Sequence, residues 1–581
     1  MKEVSGRQVL NIGVYMSAVR DRMRDLEDGQ FTARLWRKDP SLWKKDPENQ
    51  AVIREAMGWL QVAGKMEETK GELSNFLAEV KAAGFRHAVH MGMGGSSLAP
   101  LIFQRTFPTP PEAIPITVLD TTDPATILGI ERQVPVGETL FIVASKSGTT
   151  AEPLAFAEYF YAKIRALKGE RAGENFVAIT DPVTALVQLA EERRFRRIFL
   201  SCPDIGGRYS ALTHFGLVPA ALMGAEVGEL LARALRMGHA CGPFVPLREN
   251  PGVVLGAVIG ELALRGRDKI TFLMPESIAS LGLWLEQLLA ESTGKEGKGV
   301  LPLAGEPPGT PSVYGEDRLF VHIRLKGENE EALDGLVGNL RKAGHPVITI
   351  QMEDRLDLAQ EFFRWEIATA TVGAILRINP FDQPNVQESK DNTNRLLREV
   401  RQSGKLPEPP PILSEGPLRF YGPERAQGSR DFLKSFFART RPGDYFALQA
   451  YLPEKPSTTE SLQGIQQLLR DRLSLATTMG YGPRFLHSTG QFHKGGPNTG
   501  LFLQLTADDS EDAPLPNASY TFGVFKRAQA LGDLQALEKH GRRVIRVHLG
   551  LPLHKGLEAL ARAVEAALER SPRGGPVLPR G

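Results

Sequence analysis

The chain has 581 residues, enough for two to four domains, and its 42% hydrophobic and 24% charged composition is that of an ordinary globular protein. Seventy basic and 68 acidic residues leave a net charge of +2, which gives no electrostatic case for a nucleic acid or a membrane surface as partner. Its two cysteines, Cys202 and Cys241, make no disulfide framework. No signal-peptide core opens the sequence and no apolar run reaches the ~20 residues of a membrane span, so a soluble cytoplasmic protein is expected.

Residues 14 to 83 carry apolar side chains at helical spacing around Trp36, Trp43, Met57, Trp59, Leu73 and Leu77, which makes 1–84 an N-terminal helical segment. Between 85 and 245, short apolar runs at 86–91, 115–119, 139–144, 175–179 and 196–199 alternate with longer amphipathic ones. That alternation predicts a parallel sheet covered by helices on both faces. A second α/β unit occupies 246–402, with helix 251–265, strand 269–273, helix 277–291, strand 319–325, helix 329–343, strand 346–351 and a long helix 355–376. Residues 403–425 contain Pro407-Glu408-Pro409-Pro410-Pro411 and several glycines, and read as an exposed linker. A C-terminal α/β unit follows over 426–570, and the Pro/Gly-rich 571–581 reads as a disordered tail. The runs 318–323 and 345–350 are echoed in style by 500–505 and 543–547, either as a duplicated βαβ element or as the common form of such elements.

The densest chemistry lies in Ser145-Lys146-Ser147-Gly148-Thr149-Thr150, between an apolar strand and a helix. A helix N-terminus presents unpaired N–H groups. Four hydroxyls add neutral donors, Lys146 adds charge, and Gly148 lets the backbone come close. The alternative is an ordinary Ser/Thr-capped helix. A second strand-to-helix turn, Gly92-Met93-Gly94-Gly95-Ser96, lacks the glycine spacing of a dinucleotide fingerprint, so Gly94, Gly95 and Ser96 read as the other wall of a phosphosugar pocket.

Further along, Gly206-Gly207-Arg208-Tyr209-Ser210 offers a guanidinium for an oxyanion. Glu291-Ser292-Thr293-Gly294-Lys295 sets a carboxylate where an apolar helix meets a glycine-rich loop. In Asn379-Pro380-Phe381-Asp382-Gln383-Pro384 and the residues after it, Gln383 and Lys390 fall two turns apart. His487 and His493 share a loop, with no acidic or cysteine neighbour at ligand spacing to suggest a metal.

Together these motifs resemble phosphoglucose isomerase, and most closely the isomerase half of bacterial transaldolase/phosphoglucose isomerase fusions. The resemblance spans most of the chain. It implies sugar-isomerase (SIS-type) three-layer αβα sandwich domains, with the N-terminal helices and the C-terminal α/β unit as additions. It implies a glucose-6-phosphate isomerase working through ring opening and a cis-enediolate, with a hexose 6-phosphate as substrate and a possible homodimer. No transaldolase barrel is evident, so no Schiff-base aldolase activity is expected. By the resemblance Ser145, Ser147 and Thr150 hold the phosphate, with Lys146, Thr149 and Ser96 nearby. Glu291 is the proton-transfer base, Arg208 stabilises the enediolate, His487 and Lys390 open the ring, and Gln383 contacts substrate. Such proton transfer needs no cofactor and no metal.

Two features depart from the family pattern. Thr293 stands where Asn is usual, and His487 follows the Asn379–Pro384 motif instead of preceding it. The C-terminal unit must therefore fold back, or a partner subunit must supply the histidine. Two other readings use the same residues: a dual phosphoglucose/phosphomannose isomerase, and a non-catalytic phosphosugar sensor. The sensor would need the hydroxyl turn but not Glu291, Lys390 or His487.

Overall fold

A computed structural model describes residues 7–569. It is an α/β protein with three sheets. The first sheet is wholly parallel, in the order Ile116–Leu119, His87–Met91, Thr139–Ala144, Phe176–Thr180, Arg197–Leu200. Its strands alternate faces as a pleat requires. Leu140, Ile142 and Ala144 join the core beneath the N-terminal helices, whereas Phe141 and Val143 pack with Phe156 and Phe160 on the other side. All five strands lie within a residue of their sequence expectation, and the central Thr139–Ala144 and Phe176–Thr180, buried on both faces, are almost wholly apolar and easily read.

The second sheet runs Gln8–Asn11, Val347–Met352, Arg318–Leu325, Lys269–Leu273, Leu301–Leu303, parallel except for its first member. Gln8–Asn11 corrects the purely helical reading of 1–84. An edge strand of four residues is held by its partner and carries too little pattern of its own. The third sheet runs Leu413–Glu415, Leu418–Tyr421, Arg543–Leu549, Gly500–Ala507, Tyr445–Tyr451, Ala476–Tyr481, the last four parallel. Its first two strands form a hairpin inside the stretch expected to be a linker. The composition of 403–425 suggested an exposed tether, but Leu418 and Phe420 alternate inward and are buried on the third sheet. The expected disordered tail, 571–581, lies outside the described residues.

The parallel parts of all three sheets share one order. Numbered along the chain within each sheet, the first four parallel strands lie 2-1-3-4, so the strand direction of travel reverses between members 1 and 3. That crevice is where open α/β sheets bind ligands. In the first sheet it lies between His87–Met91 and Thr139–Ala144, the two strands that feed the glycine turn and the hydroxyl turn. The echoed segments 318–350 and 500–547 occupy equivalent places, members 3 and 4 of the second and third sheets.

The C-terminal unit does not stand apart. Its helix Phe522–Lys539 buries Phe522, Phe525, Ala528 and Leu531 in the same core as Phe141, Phe156 and Leu396. On another side, Tyr445, Ala447 and Phe502 pack with Ala290, Leu301 and Leu303 of the second unit.

Candidate active site

The hydroxyl turn ends at Thr150, the N-cap of the helix Ala151–Lys168, and no side chain caps that helix. Its first N–H groups are therefore open to an anion. Ser145 Oγ donates to Thr150 Oγ1 at 3.0 Å, and Ser147 Oγ lies 3.0 Å from Thr149 Oγ1. Gly148 has φ +66°, and a Cβ there would lie 2.6 Å from the Thr184 side chain, so the turn needs glycine on both counts. Lys146 departs from expectation. Its ammonium turns away to pair with Asp181 and donates to the Pro203 carbonyl at 3.2 Å. A half-buried carboxylate from the next strand end outcompetes solvent for that charge, which no local spacing could reveal.

Thr149, Thr150 and Glu152 line a cavity of about 240 Å³ together with Lys390, His487 and Gln529. Lys390 comes from the helix Val386–Ser403, and His487 from the short helix Arg484–His487 of the C-terminal unit. Of the two arrangements that the sequence order left open, a fold-back and a partner's histidine, the fold-back occurs within one chain. His487 Nε2 lies 3.0 Å from Glu152 Oε1, and Gln529 Nε2 donates to the same oxygen at 2.7 Å. Burial alone would raise the Glu152 carboxyl, but His487 and Lys390 hold it below the usual carboxylate range. His493, by contrast, is buried against Tyr445, its Nδ1 2.9 Å from the phenol oxygen, and burial pushes its pKa well below the usual histidine value.

Glu291 lies in the last turn of the helix Leu281–Thr293 and is buried. Its Oε2 accepts from Gln287 Nε2 at 3.0 Å, and its Oε1 is 3.6 Å from Arg208 Nη1. The same Gln287 Nε2 donates to the His487 carbonyl at 2.7 Å, so one side chain ties Glu291 to the histidine turn. Thr293 plays no part in this: its hydroxyl donates to Leu289 O at 2.7 Å and accepts from Val300 N at 3.0 Å. The substitution at that position therefore leaves the contacts of Glu291 to Gln287 and Arg208.

Arg208 is 2% exposed and fully engaged. Nε donates to Ser292 Oγ at 2.7 Å, Nη1 to Gln383 Oε1 at 2.9 Å, and Nη2 to the carbonyls of Pro380 and Asp382 at 2.7 and 3.0 Å. Gln383 precedes its helix and reaches Arg208, while Lys390 on the helix reaches the cavity; the two do not share a helix face. Lys295 grips the same loop, donating to Asn379 O at 2.8 Å and to Asp382 Oδ1 at 2.6 Å. Burial pushes its ammonium down to about 8; Arg208 adds repulsion and Asp382 opposes both.

The glycine turn closes the ring of contacts. A Cβ on Gly95 would lie 2.1 Å from Gly207 O, so only glycine lets the turn approach the Arg208 loop. Gly94 lies against Gln287 and the His487 backbone, and Ser96 is buried beside them with its carbonyl 2.6 Å from His90 Nε2. The sequence expectations missed Glu152, Gln287 and Gln529. Glu152 had a local signal, seven residues after Ser145 in the first helical turn; Gln529 had none. Among the described residues no cluster of His, Cys, Asp and Glu has metal-holding geometry, and no helix is long and apolar enough to cross a membrane.

Residues 60–300 match the family described as phosphoglucose isomerase. The chain is 29% identical over 395 residues to a glucose-6-phosphate isomerase of Rubrobacter xylanophilus, covering 58% of this chain and 88% of that one. It is 27% identical over 396 residues to a glucose-6-phosphate isomerase of Carboxydothermus hydrogenoformans, covering 59% and 85%. Among solved structures, a hypothetical protein of Thermus thermophilus superposes with a TM-score of 0.57 at 24% identity over 67% of this chain and 99% of that one. A glucose-6-phosphate isomerase of Chlamydia trachomatis superposes with a TM-score of 0.50 at 22% identity over 65% and 79%. These two likenesses are of fold. Through residues 60–300, the chain matches the phosphoglucose isomerase family.

Proposed function

We propose that this protein interconverts glucose 6-phosphate and fructose 6-phosphate. The observation that carries the reading is the convergence, around one small cavity, of an uncapped hydroxyl turn, a lysine and a carboxylate-paired histidine, with Glu291 and Arg208 joined to it through Gln287.

The phosphate sits on the N–H groups and hydroxyls of 145–150. Lys390 and His487 lie beside the same cavity and serve the ring oxygen. Opening the ring protonates O5 and takes the proton from the O1 hydroxyl, a transfer suited to an imidazole held against a carboxylate. Glu291 then removes the C2 proton of the open aldose and returns it to C1, while a proton passes from O2 to O1. The intermediate is a cis-enediolate, whose charge Arg208 meets. That guanidinium is already fixed by Ser292, Gln383 and two carbonyls, so it needs little reorganisation as charge develops. No electrons leave the substrate, and the carbon chain stays intact.

The reading places the enzyme in the cytoplasm, where two unpaired thiols are stable. It keeps the homodimer as part of the proposal, to be checked by light scattering. A coupled assay on fructose 6-phosphate, with mannose 6-phosphate alongside, tests the function directly. Conversion of fructose 6-phosphate to glucose 6-phosphate is expected. Binding without turnover would instead favour a sensor, and equal turnover of mannose 6-phosphate a dual isomerase.

A further inference from the structure

The turn that carries His487 is fastened to the first unit by buried charges that the chemistry above does not use. Arg484 opens that short helix, three residues before His487. Its guanidinium forms a two-pronged pair with Asp120, Nε to Oδ2 at 2.6 Å and Nη2 to Oδ1 at 2.7 Å, and its Nη1 donates to Glu454 Oε2 at 2.7 Å. The side chains of Arg484 and Asp120 are 13% and 3% exposed. Such a fork fixes orientation as well as distance, which a lysine could not do.

Asp120 directly follows the strand Ile116–Leu119, and the residues after it serve the same contact. Thr122 Oγ1 donates to Gln529 Oε1 at 2.6 Å, and Lys526 Nζ donates to Asp123 Oδ1 at 2.8 Å. Gln529 then reaches Glu152 Oε1, the oxygen that meets His487. The loop 120–123 therefore holds both members of the His487–Glu152 pair, one through Arg484 and the other through Gln529.

The third sheet supplies an independent observation. Its switch point lies between Tyr445–Tyr451 and Gly500–Ala507, where a ligand crevice would ordinarily open. The residues just beyond those strands include Glu454, Asp508 and Asp509, which would repel a phosphate. Glu454 pairs with Arg484, and Asp509 with Lys526. The same Arg484 and Lys526 also pair with Asp120 and Asp123, so the acidic strand ends at this crevice are bridged to the first unit.

We propose that Asp120 and Arg484 are positioning residues for the candidate site: they set the His487 imidazole at the cavity, and are needed for the step His487 performs and not for substrate binding. The proposal rests on the isomerase reading. The test measures kcat and KM on glucose 6-phosphate for Arg484→Lys, Asp120→Asn, His487→Ala, and each of the first two combined with His487→Ala. Each positioning variant should lower kcat by about 10–100-fold, the scale of a misplaced reacting group, with KM unchanged. On the His487→Ala background neither should lower kcat further, because residues acting through one another are not additive. Asp120→Asn is isosteric and carries the comparison should Arg484→Lys not fold. Arg132→Ala, which breaks a more exposed pair with Glu511 between the same units, should leave kcat near the wild-type value. An undiminished loss on the His487→Ala background, a parallel rise in KM, or an equal loss in Arg132→Ala would overturn the proposal. Wild-type protein that does not convert glucose 6-phosphate would remove the isomerase reading, and this proposal with it; active wild type without the 484–487 coupling removes this proposal alone.

Discussion

Two carboxylates on the helix Leu281–Thr293 show how burial sorts identical side chains into different uses. Glu291 keeps a guanidinium 3.6 Å away and an amide donor at 3.0 Å, the surroundings of the proposed base. Glu291→Gln preserves size and hydrogen bonding, and should lower turnover by roughly 10²–10⁴-fold while substrate still binds. Exchange of the substrate C2 proton with deuterated water is the measurement; wild-type exchange in the variant would move the base elsewhere. Glu286, on the same helix, has no cation paired with it among the described residues and accepts a hydrogen bond from Ala304 N at 3.1 Å. Burial pushes it up to about 8. Between the ordinary glutamate value and that point the unfolded chain has released a proton that the native state retains, so stability falls as pH rises through this window and levels off above it. Glu286→Gln should flatten that decline. Urea unfolding at pH 5 and pH 8 checks it, and parallel slopes in the two proteins would contradict the assignment.

At the scale of an element, the hydroxyl turn is a strand end, a left-handed glycine and an uncapped helix start in one short run. Removing donors should weaken phosphate binding more than it disturbs the helix. Each lost bond to a charged group costs about 1.5–3 kcal/mol, so Ser147→Ala with Thr150→Ala should raise KM at least about tenfold. Lys146→Ala should do less to KM, because that ammonium is committed to Asp181. A Lys146→Ala effect larger than that of the double variant would reverse the order of importance. This turn stood out in the sequence as a candidate anion site because its signals are local: hydroxyl density, glycine and the change from strand to helix period. The direction of Lys146 was not, because its partner lies 35 residues away on another strand end.

For the whole molecule, the C-terminal unit is part of the fold that makes the site. Phe522 is fully buried, its ring 6.0 Å from Phe156 and 5.7 Å from Tyr159 of the first unit. Phe522→Ala should cost about 3–5 kcal/mol and leave a cavity at the seam that docks the His487 unit. With a core shared in this way, thermal unfolding should show one main transition, lowered as a whole by the mutation. A separate low-temperature transition for 426–569 in calorimetry would show that the units unfold independently. The linker expected at 403–425 and the hairpin observed within it make the same point. Composition marks where a chain is free of regular pattern, whereas burial of Leu418 and Phe420 depends on a sheet edge supplied by Arg543–Leu549.

By itself the sequence determined the alternation of strands and helices, the glycine turn and the hydroxyl turn, and four residues that line the cavity, Thr149, Thr150, Lys390 and His487. Each of these is encoded over a few neighbouring residues, by period, turn chemistry or motif. The tertiary structure alone decided which His487 contacts matter, that Gln287 joins Glu291 to the histidine turn, that Gln529 and Glu152 stand behind the imidazole, and that Lys146 faces away. Those outcomes depend on side chains brought together across separations from 35 residues, between Lys146 and Asp181, to 377, between Glu152 and Gln529. Such pairings are set by how strands and units pack against one another, and no local pattern in the chain carries that information.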